Sequence, residues 1–299
     1  MLTAKITGAS QAIDYFTQGC KEIHQIRWWG EGATSLGLGG TIEDAGLFGN
    51  ICNGYSPDGQ SQICRERKWA AIDFTFSAPK SVSLSALLGD DKDLRIAHRN
   101  AVEKALSVME LNYVQTRIRM NGNRHIVNTA NLVVAQFRHI ESRELDPQLH
   151  THCLVMNMTQ IPNGSWYSLH NRQMYCNKKS LGMIYQNHLA REVQKIGYQI
   201  KHRNHGQFEI KGYKRKDLVE LSKRMKQITA KIGASPSWQE REDAWDITRK
   251  SKRIVPPEEL QQMWRQKAEV LGIEIVKPKA VVEIKPRVEN TRIRRGIRM

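Results

Sequence analysis

The stretch HIESRELDPQLHTH, residues 139–152, holds three of the chain's ten histidines, and two of them flank the single Thr151. The segments on either side, NTANLVVAQFRH (128–139) and QLHTHCLVMNMTQ (148–160), are rich in β-forming residues and read as two neighbouring strands. Side chains two apart on a strand share a face. His150 and His152 therefore point one way, and Leu149, Thr151 and Cys153 the other. If the two strands pair antiparallel around ESRELDPQ, His139 returns to the face of His150 and His152. Three neutral imidazole nitrogens can hold a divalent ion and leave positions open for a substrate oxygen and water. A lone histidine is more often an ordinary surface or core residue, but this spacing tips the balance toward a metal. The other histidines (His24, His98, His125, His170, His188, His202 and His205) show no such pattern.

Working outward, WAAIDFTFSAP (69–79) alternates as a half-buried strand, with Ile72, Phe74 and Phe76 on one side and Ala71, Asp73, Thr75 and Ser77 on the other. Asp73 is its one acid. A carboxylate there could orient a metal-bound histidine or accept a proton. A strand-edge Asp paired with a surface Lys is the alternative, and spacing does not choose between them. MLTAKI reads as a short strand. GASQAIDYFTQG reads as a helix with Ser10 as N-cap and Gly19 as stop. The Gly-rich stretch 28–60 suggests loop with one short helix. DLRIAHRNAVEKALSVMELNYVQTRI (93–118) has apolar residues at helical spacing. SLGMIYQNHLAREVQKIGY (180–198) reads as a helix ended by Gly197, and YQIKHRNHGQFEI (198–210) as a hairpin turning at Asn204-His205-Gly206. From Lys216 to Gly272 the pattern is helical, broken near GASPS (233–237) and IVPPEE (254–259), where Ser235 with Pro236 and Pro257 with two acids mark helix starts.

The chain has 299 residues, with 46 Lys plus Arg against 30 Asp plus Glu, a formal charge of +16. That excess suits a polyanionic partner. No run of about 18 apolar residues occurs, so no membrane insertion is expected, and the N-terminus lacks the pattern of a secretory signal. Five scattered cysteines without a CxxC pair argue against a disulfide framework or a cysteine-zinc site and fit a reducing interior. GxxxxGK[ST] is absent, which excludes a P-loop ATPase.

DFTFSAPKSVS, HIESRELDPQLHTHCLVMN and the opening SQAIDYF…RWWGEGATSLGLGG together resemble conjugative relaxases of the TrwC/TraI (MobF) type, within the HUH endonuclease superfamily. SWYSLHNRQMY, GMIYQNHLAREVQKIGY and DITRKSK are similar to that family as well, and the resemblance runs to about Gly272. It implies an α+β fold, a central antiparallel β-sheet flanked by helices in a two-layer arrangement, with a helical C-terminal subregion. The expected division is a catalytic relaxase core at 1–214, a helical DNA-clamping subregion of the same domain at 215–275 and a basic tail or linker at 276–299. The implied activity is site- and strand-specific DNA nicking and strand transfer at a plasmid origin of transfer, through a covalent 5′-phosphotyrosine intermediate. Carried over by position, His139, His150 and His152 are the metal ligands, Asp73 the carboxylate beside them and Tyr15 the nucleophile. The implied cofactor is a divalent ion, Mg²⁺ or Mn²⁺ in function, with Zn²⁺ or Ni²⁺ open for purified protein. The implied partners are single-stranded origin DNA with an adjacent hairpin, accessory relaxosome proteins and a coupling protein. The implied location is the bacterial cytoplasm, with transfer alongside the DNA as a further option.

A phenol is a weak nucleophile near neutral pH unless its oxyanion is stabilised, and a metal on the phosphate oxygens would neutralise developing charge. The tyrosine precedes the histidines here, the relaxase order; rolling-circle replication initiators of the same superfamily have the reverse order. This sequence departs from the common pattern in that Tyr15 is followed by Phe16, and Cys20 stands near the place of a later tyrosine. Lys80, Arg143, Arg172, Lys178 and Lys179 are candidate DNA contacts, with Arg143 alternatively bracing the loop between the histidine strands. Trp28, Trp29 and Trp166 are candidate stacking platforms. The alternatives are a catalytically inactive hairpin-DNA-binding repressor, a rolling-circle initiator, and a zinc hydrolase. The last is disfavoured because no Glu accompanies the histidines as in HExxH.

Overall fold

The computed structural model describes residues 2–19, 26–41, 44–65, 69–223, 226–227, 230 and 255–279, without the side chains of 15–19 and 205. The expected helix start at Ser235-Pro236 and most of the basic tail lie outside the described residues.

Five strands form the central sheet: β1 (Leu2–Thr7), β2 (Ile26–Trp29), β3 (Ala71–Ser77), β6 (Val134–Glu141) and β7 (Pro147–Met156). Their order is β1-β3-β7-β6-β2 and every neighbouring pair is antiparallel. The remaining strands make small two-stranded pairs: β4 (Gln115–Met120) with β5 (Asn123–Asn128), β8 (Thr159–Gln160) with β9 (Trp166–Tyr167), and β10 (Ile200–His202) with β11 (Phe208–Ile210). The helices are α1 (Ala9–Gly19), α2 (Glu31–Ser35), α3 (Ala45–Cys52), α4 (Lys80–Leu87), α5 (Lys92–Tyr113), α6 (Arg172–Cys176), α7 (Lys178–Lys195), α8 (Arg215–Glu220) and α9 (Pro257–Val270). The fold is α+β, as the resemblance implies.

Alternation along the strands gives the sheet two apolar faces. On one, Ile72, Phe74, Phe76, Leu149, Cys153 and Val155 pack with Val82, Leu106, Leu189 and Trp264 from α4, α5, α7 and α9. On the other, Ala71, Ala135, Phe137, Leu154 and Met156 pack with Ala12 of α1 and Phe48 and Ile51 of α3. The second face also carries the histidines, so α1 and α3 share the layer of the site.

Local chemistry fixes the connections. Gly30 adopts φ 107, and a Cβ there would collide with the carbonyl oxygen of Leu132. The Glu110 carboxylate accepts from the backbone of Glu31 and Leu132 at 2.9 Å each, tying the start of α2 to the approach to β6. On the first core, His98 is fully buried, with Nδ1 2.8 Å from the Tyr185 hydroxyl and Nε2 2.9 Å from Thr151 Oγ1. This bond holds β7 from behind, at the residue between His150 and His152.

Three expectations needed correction, and one helix was missed. Helix α1 begins at Ala9, with Gly8 O accepting from Ala12 N, so Ser10 sits in the first turn and is not the cap. The Gly-rich stretch contains two helices, α2 and α3. Helix α5 stops at Tyr113 because Val114 turns extended, with ψ 118, and the following residues belong to β4. Helix α4 was not read from the sequence at all. It buries Ser81, Ser83 and Ser85, each hydrogen-bonded: Ser81 to Glu209 and Ile210, Ser83 to Pro79 and Leu149, Ser85 to Tyr213 and Val276.

Burial pushes the His98 imidazole down to about 3 from an ordinary 6.5. Between these values the unfolded chain binds a proton that the folded chain does not, so stability is full above pH 6.5 and falls as pH drops through that window. We predict that His98→Gln reduces this acid-side slope by one proton, about 1.4 kcal/mol per pH unit. Urea unfolding from pH 6.5 to 4 checks it, and an unchanged slope refutes the assignment.

Candidate active site

The register of β6 and β7 places His139 directly opposite His150, while His152 lies opposite Phe137 on one side and Thr75 of β3 on the other. The three imidazoles converge on one face, with ring centroids 5.1–5.3 Å apart. One nitrogen from each lies within 4.8 Å of the others, and among the described residues this is the one His/Cys/Asp/Glu cluster that could share a metal ion. The register shifts between His139 and Glu141, so the irregularity falls beyond the ligand pair and leaves their opposition intact.

Hydrogen bonds set the tautomers. His152 Nδ1 donates to Asp73 Oδ2 at 2.7 Å, and His150 Nδ1 donates to the Gln148 carbonyl oxygen at 2.9 Å. Both acceptors lack a proton to give, so each Nδ1 carries hydrogen and each Nε2 keeps its lone pair for a cation. Thr75 Oγ1 donates to Asp73 Oδ1 at 3.1 Å and lies 3.1 Å from His152 Nδ1. With both oxygens engaged, Asp73 is arranged to orient His152. Lys5 is its cross-strand neighbour on β1, and so lies on the same face. The donor set fits a divalent ion: three imidazoles, one braced by a carboxylate and one by a carbonyl.

The hairpin that carries the triad is held at its turn by three other elements. Leu145 sits at φ 59, in the left-handed region, and its carbonyl accepts from Trp264 Nε1 of α9 at 2.7 Å. Asp146 is buried and accepts from the Lys223 backbone at 2.6 Å, with Lys267 Nζ of α9 at 3.7 Å. Lys80 Nζ donates to the Pro147 carbonyl at 2.8 Å. Burial pushes the Lys80 ammonium down to about 8, partly offset by Asp146 and Glu209. Burial likewise raises the Asp146 carboxyl, against the pull of Lys80.

The candidate DNA contacts divide accordingly. Lys80 is a correction: its ammonium is committed inside the fold, bracing the start of β7, and is not presented to a phosphate. Arg143 lies in the β6–β7 turn, half-buried, where its alternative bracing role would put it. Arg172 is exposed at the start of α6; Lys178, half-buried, and Lys179, exposed, begin α7. Trp28 is buried against Phe48 in the second core and is therefore unable to stack on a base; Trp29 and Trp166 are partly buried. Tyr15 lies on α1 one turn beyond the buried Ala12; its side chain is outside the described residues. Asp146, Trp264 and Lys267 were missed. The signal was Asp146-Pro147 immediately before QLHTH, read only as a turn.

The TrwC relaxase family model matches residues 3–271. The chain belongs to the TrwC relaxase family. It is 35% identical over 295 residues to the multifunctional conjugation protein TraI of Escherichia coli strain K12, covering 92% of this chain and 16% of that protein. A second Escherichia coli TraI is 37% identical over 290 residues. The chain thus spans about a sixth of the length of these relatives. Among solved structures, a metal-bound conjugative relaxase TrwC in complex with oriT DNA matches at TM-score 0.84 and 34% identity, over 92% of this chain and 100% of that one. A TrwC complexed with a 27-mer comprising the recognition hairpin and the cleavage site matches at TM-score 0.82.

Loss of the carboxylate tests the orienting role. Asp73→Asn should weaken Mn²⁺ binding by about 10–100-fold while leaving the fold intact. Calorimetric titration measures it, with far-UV dichroism as the fold control. Unchanged affinity would remove Asp73 from the site.

Proposed function

We propose that this chain is the DNA-nicking relaxase of a conjugative element, cutting one strand at an origin of transfer and holding the 5′ end on a tyrosine. The observation that carries this reading is the three-imidazole cluster on the sheet face that α1 also packs against, in a chain of the TrwC relaxase family. His139, His150 and His152 hold a divalent ion, Mg²⁺ or Mn²⁺ in function, with Zn²⁺ or Ni²⁺ as competitors for an imidazole site. That ion supplies a Lewis acid for the charge that builds on the non-bridging oxygens of the scissile phosphate. Asp73 and Gln148 O fix the two ring tautomers, so no proton on Nε2 opposes the cation.

Tyr15 attacks phosphorus. Its O–P bond forms as the P–O3′ bond breaks, and the departing O3′ takes up a proton. One phosphate ester replaces another, so the step is near balance and reverses without ATP. The substrate is single-stranded origin DNA beside a hairpin, matching what the TrwC complex contains. The chain's excess of 46 basic over 30 acidic side chains suits that polyanion. The division into a core at 1–214, a helical clamp at 215–275 and a basic tail at 276–299 belongs to this reading, as does action in the bacterial cytoplasm with accessory and coupling proteins. No described helix is long and apolar enough to cross a membrane.

The test is a denaturing gel of protein mixed with labelled oligonucleotides tiling the origin region, with Mg²⁺ or Mn²⁺. Wild-type protein should form a shifted covalent band. Tyr15→Phe should abolish it, and His150→Ala should reduce it by orders of magnitude. A band that persists in Tyr15→Phe assigns the nucleophile elsewhere. Absence of any band from wild type, with tight binding retained, would favour a hairpin-binding repressor.

A further inference from the structure

Register sorts the charged side chains of the central sheet between its two faces. Lys or Arg occurs in three of the five strands: Lys5 on β1, Arg27 on β2 and Arg138 on β6. Directly opposed residues of an antiparallel pair share a face. Arg138 lies opposite Thr151, whose hydroxyl meets the buried His98 on the side of the larger core. Arg27 lies opposite Gln136, and Gln136 opposite Cys153, which packs in that same core. Lys5 lies opposite Asp73, while its strand neighbours Leu2 and Ala4 enter the larger core. Among the described strands of the sheet, Lys5 is therefore the one Lys or Arg on the face of His139, His150 and His152.

The surroundings of Lys5 tie it to the site. Asp73 engages His152 Nδ1 with one oxygen at 2.7 Å and Thr75 Oγ1 with the other at 3.1 Å. Its carboxylate is thus turned to the imidazoles, and Lys5 stands on its other flank, exposed on the edge strand. Thr75 faces His152 directly, and Asp73, two residues back along β3, faces Lys5. Strand spacing and pleat then put the Lys5 and His152 backbones ~12 Å apart. The two side chains span such a gap with one phosphate group between them, one oxygen on a cation held by imidazoles and another on the ammonium. Only Gly8 separates β1 from α1, and α1 packs on this same face through Ala12. The strand that carries Lys5 also delivers the helix of Tyr15.

A phosphodiester attacked by a phenol gathers charge on its non-bridging oxygens. A positive group fixed beforehand where that charge develops favours the transition state over the ground state, and charge-assisted hydrogen bonds to phosphate are stronger than neutral ones. We propose that Lys5 is a further catalytic residue of strand transfer, its ammonium contacting the scissile phosphate on the side away from the imidazoles. The proposal rests on the relaxase reading. In the step, the Tyr15 O–P bond forms and the P–O3′ bond breaks; the phenol proton goes to solvent and O3′ takes one up. Lys5 contributes charge and a hydrogen bond and transfers no proton.

The experiment compares wild type, Lys5→Met and Lys5→Arg in Mn²⁺ on two labelled single strands. One is the origin strand that gives the covalent band. The other is the same strand ended at O3′, without the scissile phosphate. Methionine keeps an unbranched apolar stem without the charge, at an exposed position. Lys5→Met should slow single-turnover adduct formation at saturating strand by about tenfold or more. It should weaken binding of the full strand, with a salt slope smaller by about 0.7, the value for one phosphate contact on a single strand. Binding of the shortened strand and Mn²⁺ titration without DNA should not change, and Lys5→Arg should recover most of the lost rate. A wild-type rate in Lys5→Met overturns the proposal. So does an equal loss of binding for both strands, which marks a general surface charge, or a weakened Mn²⁺ titration, which marks structural support of the imidazoles. These outcomes strike the proposal alone; a wild type that forms no covalent band removes the relaxase reading and the proposal with it.

Discussion

The pairing of β6 with β7 is the constraint on which the site depends. A strand that slips by one residue turns its whole side-chain set to the other face. With His139 opposite His150, three imidazoles meet on one side and Leu149, Thr151 and Cys153 enter the opposite core. A slip would bury imidazoles among the aliphatic side chains of the larger core and bring Leu149 and Cys153 to the face of the site. Hydrophobic burial, at about 25 cal/mol per Å², therefore enforces the geometry of a polar site that it does not itself touch. The His98 bond to Thr151 adds a directional lock from behind.

The two faces of the sheet have different tasks. The first holds the larger core, under α5 and α7. The second carries a smaller core beside a polar strip formed by Asp73, Thr75 and the three histidines. Helix α1 belongs to this second layer through Ala12, which sets the backbone of Tyr15 on the layer of the imidazoles. Helix α1 and the three imidazoles thus come from separate elements on the same side of the sheet.

Much of this was legible in the residues, for a physical reason. Period-two alternation in 69–79 records a strand with Asp73 on its less apolar side, and the two-residue spacing of His150 and His152 on a strand gives their common face, although β7 is buried on both faces from Thr151 to Met156. What was lost needed long-range contacts. Helix α4 buries three serines whose hydroxyls are satisfied by Glu209, Leu149 and Tyr213, partners 66 to 128 residues away, and no local pattern announces them. The helical spacing of α5 ran into Val114-Gln115-Thr116 and hid the β4–β5 pair behind it. Lys80 looks like any surface cation until Asp146 and the Pro147 carbonyl draw its ammonium inward. Trp28 offered an aromatic face, but packing against Phe48 consumed it.

The grip of α9 on the β6–β7 turn has a thermodynamic consequence. Trp264 holds the Leu145 carbonyl, in the turn two residues before β7 begins and five before His150. A displacement of that helix would be borne by the same peptide segment that spaces His139 and His150. If a cation held by these imidazoles is coupled to the placement of the helix, reciprocity of coupled equilibria makes that coupling equal in both directions.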